Sequence, residues 1–311
     1  MISVLIPIYN FDVRALVVRL QHQGEQSLIP FEIICLDDHS DLHFKELNSE
    51  IEGLKNVKFI RLSKNIGRSA IRNRLAEMAN YEYLLFMDCD SMPETDLYIF
   101  NYAAFLKPDT VLYGGRTYSS EKPFNKELYF HWHYGREREV KTAKQRSENP
   151  YSSFMTNNFV IPKKIMLEIG FDESLKQYGH EDTVFGLELK KQGINIHHLD
   201  NPLRHIGLED ASVFLKKSEQ AVENLLFLMK KHALEDNIKL LRYFLKSRRW
   251  LLHLLIYVWF YLFRSSLKRN LLGPKPKLRN FDLYKLGYMV FVSGKSEIPI
   301  AIGRKSERVS R

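Results

Sequence analysis

The first half of the chain alternates short apolar runs with stretches whose apolar residues recur every three or four positions. Ile2–Ile8, Phe31–Leu36, Val57–Leu62 and Tyr83–Met87 are five to seven residues long, mainly apolar, and bounded by turn residues, which is the pattern of buried strands. Between them, Val13–Gln23 places Val13, Leu16, Val17 and Leu20 on one helical face, and Leu42–Leu54 and Ser69–Ala79 fit helices. Further on, the pattern predicts a helix over Asp96–Leu106, strands over Thr110–Tyr113 and Phe154–Ile161, a short helix over Lys163–Ile169, a helix within Gly179–Gln192, and a strand over Ile194–Leu199. Strand–helix alternation of this kind builds an α/β domain, a mainly parallel sheet with helices on both faces. Residues 119–150 are polar and aromatic-rich, and part of this stretch reads as a mobile loop over a site. Its aromatics, Tyr129, Phe130, Trp132 and Tyr134, either fill a core or stack on a ligand.

The alternation stops near Ala211. Val213–Lys231 is amphipathic, with Phe214, Leu215, Ala221, Val222, Leu225, Leu226 and Met229 on one stripe; Asn237–Ser247 fits a second helix, and Trp250–Phe263 is uncharged throughout. A boundary is therefore expected near residue 210, dividing an α/β domain over 1–210 from a helical region over 211–311.

Composition is that of a globular protein, 45% hydrophobic and 27% charged over 311 residues, which excludes a disordered or fibrous chain. Two cysteines, Cys35 and Cys89, cannot make a disulfide framework or a four-thiolate zinc site, and a reducing compartment is expected. Met1 leads straight into the apolar Ile2–Ile8 with no basic stretch before it, so no secretory leader is expected. The net charge of +9 is concentrated: between Asp236 and Asp282 there are eleven basic residues and no acidic one. Such a segment calls for an anionic partner.

Chemistry gathers where the predicted strands end. In an open α/β sheet ligands bind at the carboxyl ends of the strands, so Asn10, Asp38, Asp88 and Asp90 are expected to converge on one crevice. Continuing the strand's period of two puts Asp88 and Asp90 on one side, where two carboxylates repel unless a cation lies between them. Hard oxygen donors select Mg2+ or Mn2+, and Mg2+ is commonly shared with substrate phosphates. Glu181-Asp182 either caps the helix that follows or supplies a general base.

The ordered segments Ile2-Ser3-Val4-Leu5-Ile6-Pro7-Ile8-Tyr9-Asn10, Leu36-Asp37-Asp38-His39-Ser40, Asn65-Ile66-Gly67-Arg68 through Arg72-Asn73, Asp88-Cys89-Asp90, Thr156-Asn157-Asn158-Phe159, Gly170-Phe171-Asp172-Glu173 and Gly179-His180-Glu181-Asp182 resemble the motifs of family 2 glycosyltransferases over about residues 1–207. The resemblance implies the GT-A fold and transfer of a sugar, with inversion, from a nucleotide donor. It implies that Asp38 reads the base, that Pro7, Tyr9 and Asn10 line the base and ribose pocket, and that Arg68 or Arg72 approaches the nucleotide or its phosphates. It implies that Asp88 and Asp90 hold ribose and a divalent ion, and that Asp182 is the catalytic base beside Glu181. In several branches of the family a His near position 205 is a further metal ligand, which falls on His205; a structural His is the other reading. Position 39 departs from the family, with His in place of the usual Gly.

Trp250–Phe263 would be a helix of about 21 Å, shorter than a ~30 Å hydrocarbon core. Lys246, Arg248 and Arg249 precede it and Arg264, Lys268 and Arg269 follow it, while Trp250, Tyr257, Trp259 and Tyr261 suit a membrane interface. The expectation is a helix lying on an anionic membrane face; the other reading is a buried helix with a basic rim. Nucleic acid is not expected, since no readout motif is present. Together these lead to an enzyme, peripheral or monotopic on the cytoplasmic face of the cell membrane. It would transfer sugar from a nucleotide-diphosphate donor, a UDP-sugar first among them, to a glycan or lipid-linked acceptor in surface polysaccharide synthesis. A nucleotidyltransferase and a non-catalytic nucleotide-binding subunit stay open as alternatives.

Overall fold

The computed structural model describes residues 1–175, 178–231 and 238–297. In chain order the first elements are β1 (Ile2–Ile8), α1 (Arg14–Gln26), β2 (Phe31–Asp37), α2 (Leu42–Asn48), β3 (Val57–Arg61), α3 (Arg68–Met78) and β4 (Tyr83–Met87). There follow β5 (Ser91–Pro93), α4 (Tyr98–Ala103), β6 (Thr110–Tyr113), β7 (Arg116–Thr117), α5 (Tyr129–Tyr134), α6 (Ala143–Ser147), β8 (Asn158–Pro162), α7 (Lys163–Ile169), α8 (Glu181–Lys191), β9 (Asn195–His198) and β10 (Leu203–His205). Four helices complete the chain: α9 (Ala211–Lys231), α10 (Lys239–Ser247), α11 (Trp250–Leu271) and α12 (Leu278–Glu297).

Seven strands form one sheet in the order β3-β2-β1-β4-β8-β6-β9. All pairings are parallel except those of β8, which runs antiparallel to both β4 and β6. β1, β2, β4 and β6 therefore point the same way, and the loops after them share one edge. The period of two along β1 sorts its side chains: Ile2, Val4, Ile6 and Ile8 pack with α1 and α4 on one face, and Leu5 with α3, α7 and α8 on the other. Pro7 sits in β1 beyond the last pairing with β4, at Leu5, where the ladder to that neighbour no longer needs a backbone donor.

A buried network at the end of β6 holds the edge together. Gly114 and Gly115 turn the chain away from the sheet, Gly115 at φ +91°; a Cβ on Gly114 would meet the Asn201 carbonyl and the Tyr102 hydroxyl at 2.3 Å. Asn158 completes the turn, since its Oδ1 accepts from the Tyr98 and Tyr102 hydroxyls and its Nδ2 donates to the carbonyls of Gly115 and Asn201. All four of its hydrogen-bonding positions are used in a dry interior. Asn158→Ala is expected to lower unfolding free energy by about 3 kcal/mol or more, because it strands several buried polar groups at ~1–3 kcal/mol each. Urea unfolding followed by circular dichroism measures this.

Four features differ from expectation. The chain does not stay extended past β4: it turns at Cys89-Asp90 and enters β5, so Asp88 and Asp90 do not share one side of a strand. β5 belongs to a second sheet, β5-β10-β7, whose two- and three-residue strands are too short to carry a periodic signal. Within residues 119–150 the chain is helical over 126–139 and 143–147, where no helix was expected, and a capping box between Thr142 and Gln145 opens the last of these turns. Within this stretch Phe130 and Trp132 are buried, and the Trp132 indole donates to the Ser119 carbonyl, so those two aromatics are core. Finally α11 runs eight residues past Phe263, and α12 was not expected.

By internal contacts the chain divides into two compact units. One comprises residues 1–122, 132–176 and 181–208; the other comprises 123–131, 177–180 and 209–311. The core of the second brings together Val222, Leu225 and Leu226 of α9, Leu241 and Phe244 of α10, and Met289 and Val290 of α12. Along α9 and α12, residues one helical turn apart pair in register: Tyr284 donates to Glu219, and Tyr288 to Glu223. Gly287 gives the Phe260 ring room, for a Cβ there would lie 2.3 Å from it.

Candidate functional site

The loops after β1 and β2 are tied to each other. Asn10, at φ 49°, exchanges two hydrogen bonds with Asp41, and its amide donates to the Ser40 hydroxyl. Its side chain is thus committed to shaping the loop. Asp38, at the end of β2, accepts the amides of Ile66 and Gly67 at 2.6 and 3.0 Å. Burial raises its pKa, and those two amides oppose the rise. A carboxylate has about four acceptor positions, so Asp38 keeps capacity for a further donor. His39 takes φ 65°, the left-handed conformation that a glycine adopts freely, so the departure at this position leaves the loop's backbone path open to a non-glycine residue. Tyr9 is exposed and Pro7 half-buried at the same edge.

Asp88 follows β4 directly and lies between two guanidinium groups. Its Oδ1 accepts from Arg72 at 2.8 Å and its Oδ2 from Arg116 at 3.4 Å. Arg72 projects from α3 and is almost fully buried; Arg116 opens β7, and its other arm reaches Glu139 at 3.2 Å. Glu139 also accepts the Tyr118 hydroxyl. Asp88 thus holds two guanidinium groups together at the carboxyl edge of the sheet.

Asp90 stands apart from Asp88 and faces His205. Pairing of β5 with β10 sets Ser91 opposite His205, which brings Asp90 Oδ1 to 3.4 Å from His205 Nδ1. The backbone wraps this carboxylate closely: Ile206 donates its amide to the Asp90 carbonyl, and a Cβ on Gly207 would lie 2.6 Å from Asp90 Cβ. Oδ1 of Asp90 is buried and accepts no well-formed hydrogen bond. Burial works against its ionisation, yet His205, Arg116 and Arg68 outweigh burial and hold the pKa at about 2. A half-buried carboxylate beside a buried imidazole, with its inner oxygen unsatisfied, is a donor set that fits Mn2+. Among the described residues no cluster of three or more His, Cys, Asp or Glu side chains could hold a metal alone. An ion here would complete its shell with substrate oxygens and water, as Mg2+ and its relatives do.

Glu181 and Asp182 open α8. Glu181 lies 3.5 Å from Arg68, the first residue of α3. Asp182 Oδ1 accepts from the Thr183 amide and hydroxyl. Loss of water around it and the adjacent Glu181 charge push its pKa up to about 7, with Thr183 and Arg116 pulling the other way. Arg116 thus acts electrostatically on Asp88, Asp90 and Asp182 at once. The structure brings Arg68, Arg72, Asp88, Asp90, Glu181, Asp182 and His205 into one charged network, while Asp38, Asn10, Pro7 and Tyr9 line the neighbouring strand ends.

Arg116 and Glu139 were missed in the sequence. Arg116 follows Gly114-Gly115 at the end of β6, so the rule that singled out the other strand ends points to it as well. Glu139 carried no signal, because it reaches the site only through the helical turns of 135–139.

The sequence model of the family described as Glycosyl transferase family 2 matches residues 3–171. Over 225 residues the chain is 28% identical to a chondroitin synthase of Escherichia coli, covering 62% of this chain and 32% of that protein. Over 203 residues it is 25% identical to a hyaluronan synthase of Pasteurella multocida, covering 55% of this chain and 21% of that protein. The chain spans a third or less of the length of these relatives. Among solved structures, a mannosyltransferase from Pyrobaculum calidifontis in complex with GDP-Man and Mn2+ superposes with a TM-score of 0.55 at 12% identity, over 94% of this chain and 86% of that one. The fold is that of the GT-A glycosyltransferases, and with more than half of its length matched by the family model the chain belongs to glycosyl transferase family 2.

Proposed function

We propose that the protein transfers a sugar, with inversion, from a UDP-sugar to a hydroxyl of a growing polysaccharide or its lipid-linked precursor. The observation that carries this reading is the charged network at the sheet's carboxyl edge. Two arginines gather on Asp88, an incompletely satisfied Asp90 faces His205, and Asp182 is tuned close to neutrality. In this reading the free acceptor capacity of Asp38 meets an imide N–H of the base. That chemistry suits uracil or guanine and disfavours adenine and cytosine, whose corresponding ring nitrogens accept. Asp88 organises Arg72 and Arg116 and contacts the donor's ribose, and the two guanidiniums attract the diphosphate. Asp90 and His205 would hold the divalent ion, which when bound stabilises the charge developing on the leaving diphosphate. Asp182 takes the proton from the attacking hydroxyl, and Glu181 keeps Arg68 beside it. The relatives' names, chondroitin and hyaluronan synthase, support a polysaccharide acceptor.

A panel of UDP- and GDP-sugars with Mn2+, scored by thermal shift and by release of nucleoside diphosphate, tests the reading. A bound donor raises apparent stability by mass action. Release of pyrophosphate in place of nucleoside diphosphate would make the protein a nucleotidyltransferase.

We further propose a membrane role, on the cytoplasmic face; the second unit supports membrane contact. α11 is 22 residues long, about 33 Å at ~1.5 Å per residue, long and apolar enough by length and composition to cross a bilayer. Its last third, however, carries Arg264, Lys268 and Arg269. Its outward stripe is apolar, with Trp250 at 78% and Leu262 at 66% exposure, and exposed Arg248, Arg249, Arg264, Lys268 and Arg269 bracket it. An apolar stripe between basic ends fits a helix lying in the interface of an anionic leaflet. Vesicles with half anionic lipid are expected to bind the protein at least about tenfold more strongly than neutral ones, at ~1 kcal/mol per engaged basic residue. The difference should shrink in high salt, and Leu255→Glu with Leu262→Glu should abolish binding in a sedimentation assay. Equal recovery with neutral vesicles and without vesicles would remove the membrane from the proposal.

A further inference from the structure

One stripe of α9 faces a loop and contributes little to the core of its unit. Lys217, Ala221 and Asn224 are spaced by four and three residues and so share a helical face. The Lys217 ammonium lies over the Tyr178 ring, 5.2 Å from its centre, and pairs with Glu209. Ala221 is so close to Gly179 that a Cβ on that glycine would lie 2.8 Å from the Ala221 methyl. Asn224, a polar side chain buried at 3% exposure, donates to the Gly179 carbonyl. The three side chains thus meet two consecutive residues of the loop.

That loop holds an unusual backbone. Gly179 is at φ +96° and His180, a non-glycine, at φ 70°. Glycine adopts this region freely, but a non-glycine residue such as His180 pays free energy there and persists only where the surroundings over-determine it. The next two residues in the chain are Glu181 and Asp182. α9's other faces are spoken for by the core residues Val222, Leu225 and Leu226 and by the Glu219 and Glu223 pairs with α12. A buried Asn on the remaining stripe therefore has the loop as its structural task.

We propose that Lys217, Ala221 and Asn224 are positioning residues for transfer: they clamp Tyr178–His180 in its left-handed path and so set how the chain enters Glu181 and Asp182. The proposal rests on the reading of Asp182 as the base. In it the helical region does more than attach the enzyme to a surface; it holds part of the catalytic loop.

The test compares Asn224→Ala and Lys217→Met with Tyr284→Phe, which removes a hydrogen bond from α9 on the side facing α12. Each is made in the full chain and assayed with the UDP-sugar that turns over in the donor panel, and Asp182→Asn is run alongside. Asn224→Ala is expected to lower kcat about 10²-fold, the usual consequence of a displacement of about 1 Å in a catalytic group, with donor KM within about twofold. Lys217→Met, at a side chain about a third exposed, should lower kcat less, in the same direction. Amide exchange over 178–183 should quicken in both and not in Tyr284→Phe. If neither variant separates from Tyr284→Phe in kcat or in exchange, the clamp is wrong. If Asp182→Asn keeps full turnover, the base assignment fails instead, and the exchange data still decide whether α9 restrains the loop.

Discussion

Asp182→Asn is expected to lower kcat for sugar transfer by about 10²–10⁴-fold, the typical worth of a general base, while UDP affinity in the presence of Mn2+ stays within about twofold. The substitution separates the two tasks an aspartate can perform at the start of α8. Its Oδ1 accepts from the Thr183 amide, and asparagine keeps that acceptor, so a purely capping residue would give a variant with near-normal stability and turnover. A base loses everything, because an amide takes no proton at neutral pH. The pH profile carries the same information. Loss of water and the Glu181 charge raise Asp182 to about 7, and only the ionised form accepts the proton. The acidic limb of kcat/KM is therefore expected near pH 7, falling tenfold per unit below it, with a plateau above. The cation of Arg116 favours the ionised form, so Arg116→Gln should move that limb upward. A limb in the ordinary carboxylate range near pH 4 would rule out this environment for the base.

Asp90→Asn should be nearly as damaging, lowering Mn2+-stimulated turnover by about 10²-fold through lost charge stabilisation on the leaving group. Asp90 is ionised at every working pH, since its neighbours hold it at about 2, and its buried Oδ1 accepts no well-formed hydrogen bond. Asparagine removes the charge while preserving the shape that Gly207 and Ile206 enclose. The measurement independent of turnover is Mn2+ itself: electron paramagnetic resonance should show the ion retained by wild-type protein with UDP and released by the variant. Asp88→Asn is the informative contrast. Both Asp88 oxygens are held by arginines, so its loss should weaken nucleotide binding and leave the response to Mn2+ in place. Identical Mn2+ titrations for wild type and Asp90→Asn would exclude this carboxylate as a ligand.

Local pattern carried the scaffold. Ile2–Ile8, Tyr83–Met87, Thr110–Tyr113 and Lys163–Ile169 form the expected elements with the expected bounds, because each buries a face whose period is written in four to seven consecutive residues. Parallel strands then carry Asn10, Asp38 and Asp88 to one edge as a matter of topology. The resemblance of the ordered motifs added the family and the fold, which the family match and the superposition bear out. What failed was extrapolation beyond a strand's end: the alternation of β4 says nothing about Asp90, because the chain turns at Cys89-Asp90.

By itself, then, the sequence determined the α/β layering, the strand ends where chemistry gathers, and the basic, apolar C-terminal stretch, all properties of short windows. Only the tertiary structure decided which charges meet. Asp90 finds His205 through a strand pairing that bridges more than a hundred residues, Arg116 joins Asp88 and Glu139 from two separate segments, and Asn224 reaches Gly179 from a distant helix. Such contacts depend on the closure of long loops around a packed core, and their energy resides in pairs of residues that no local window contains.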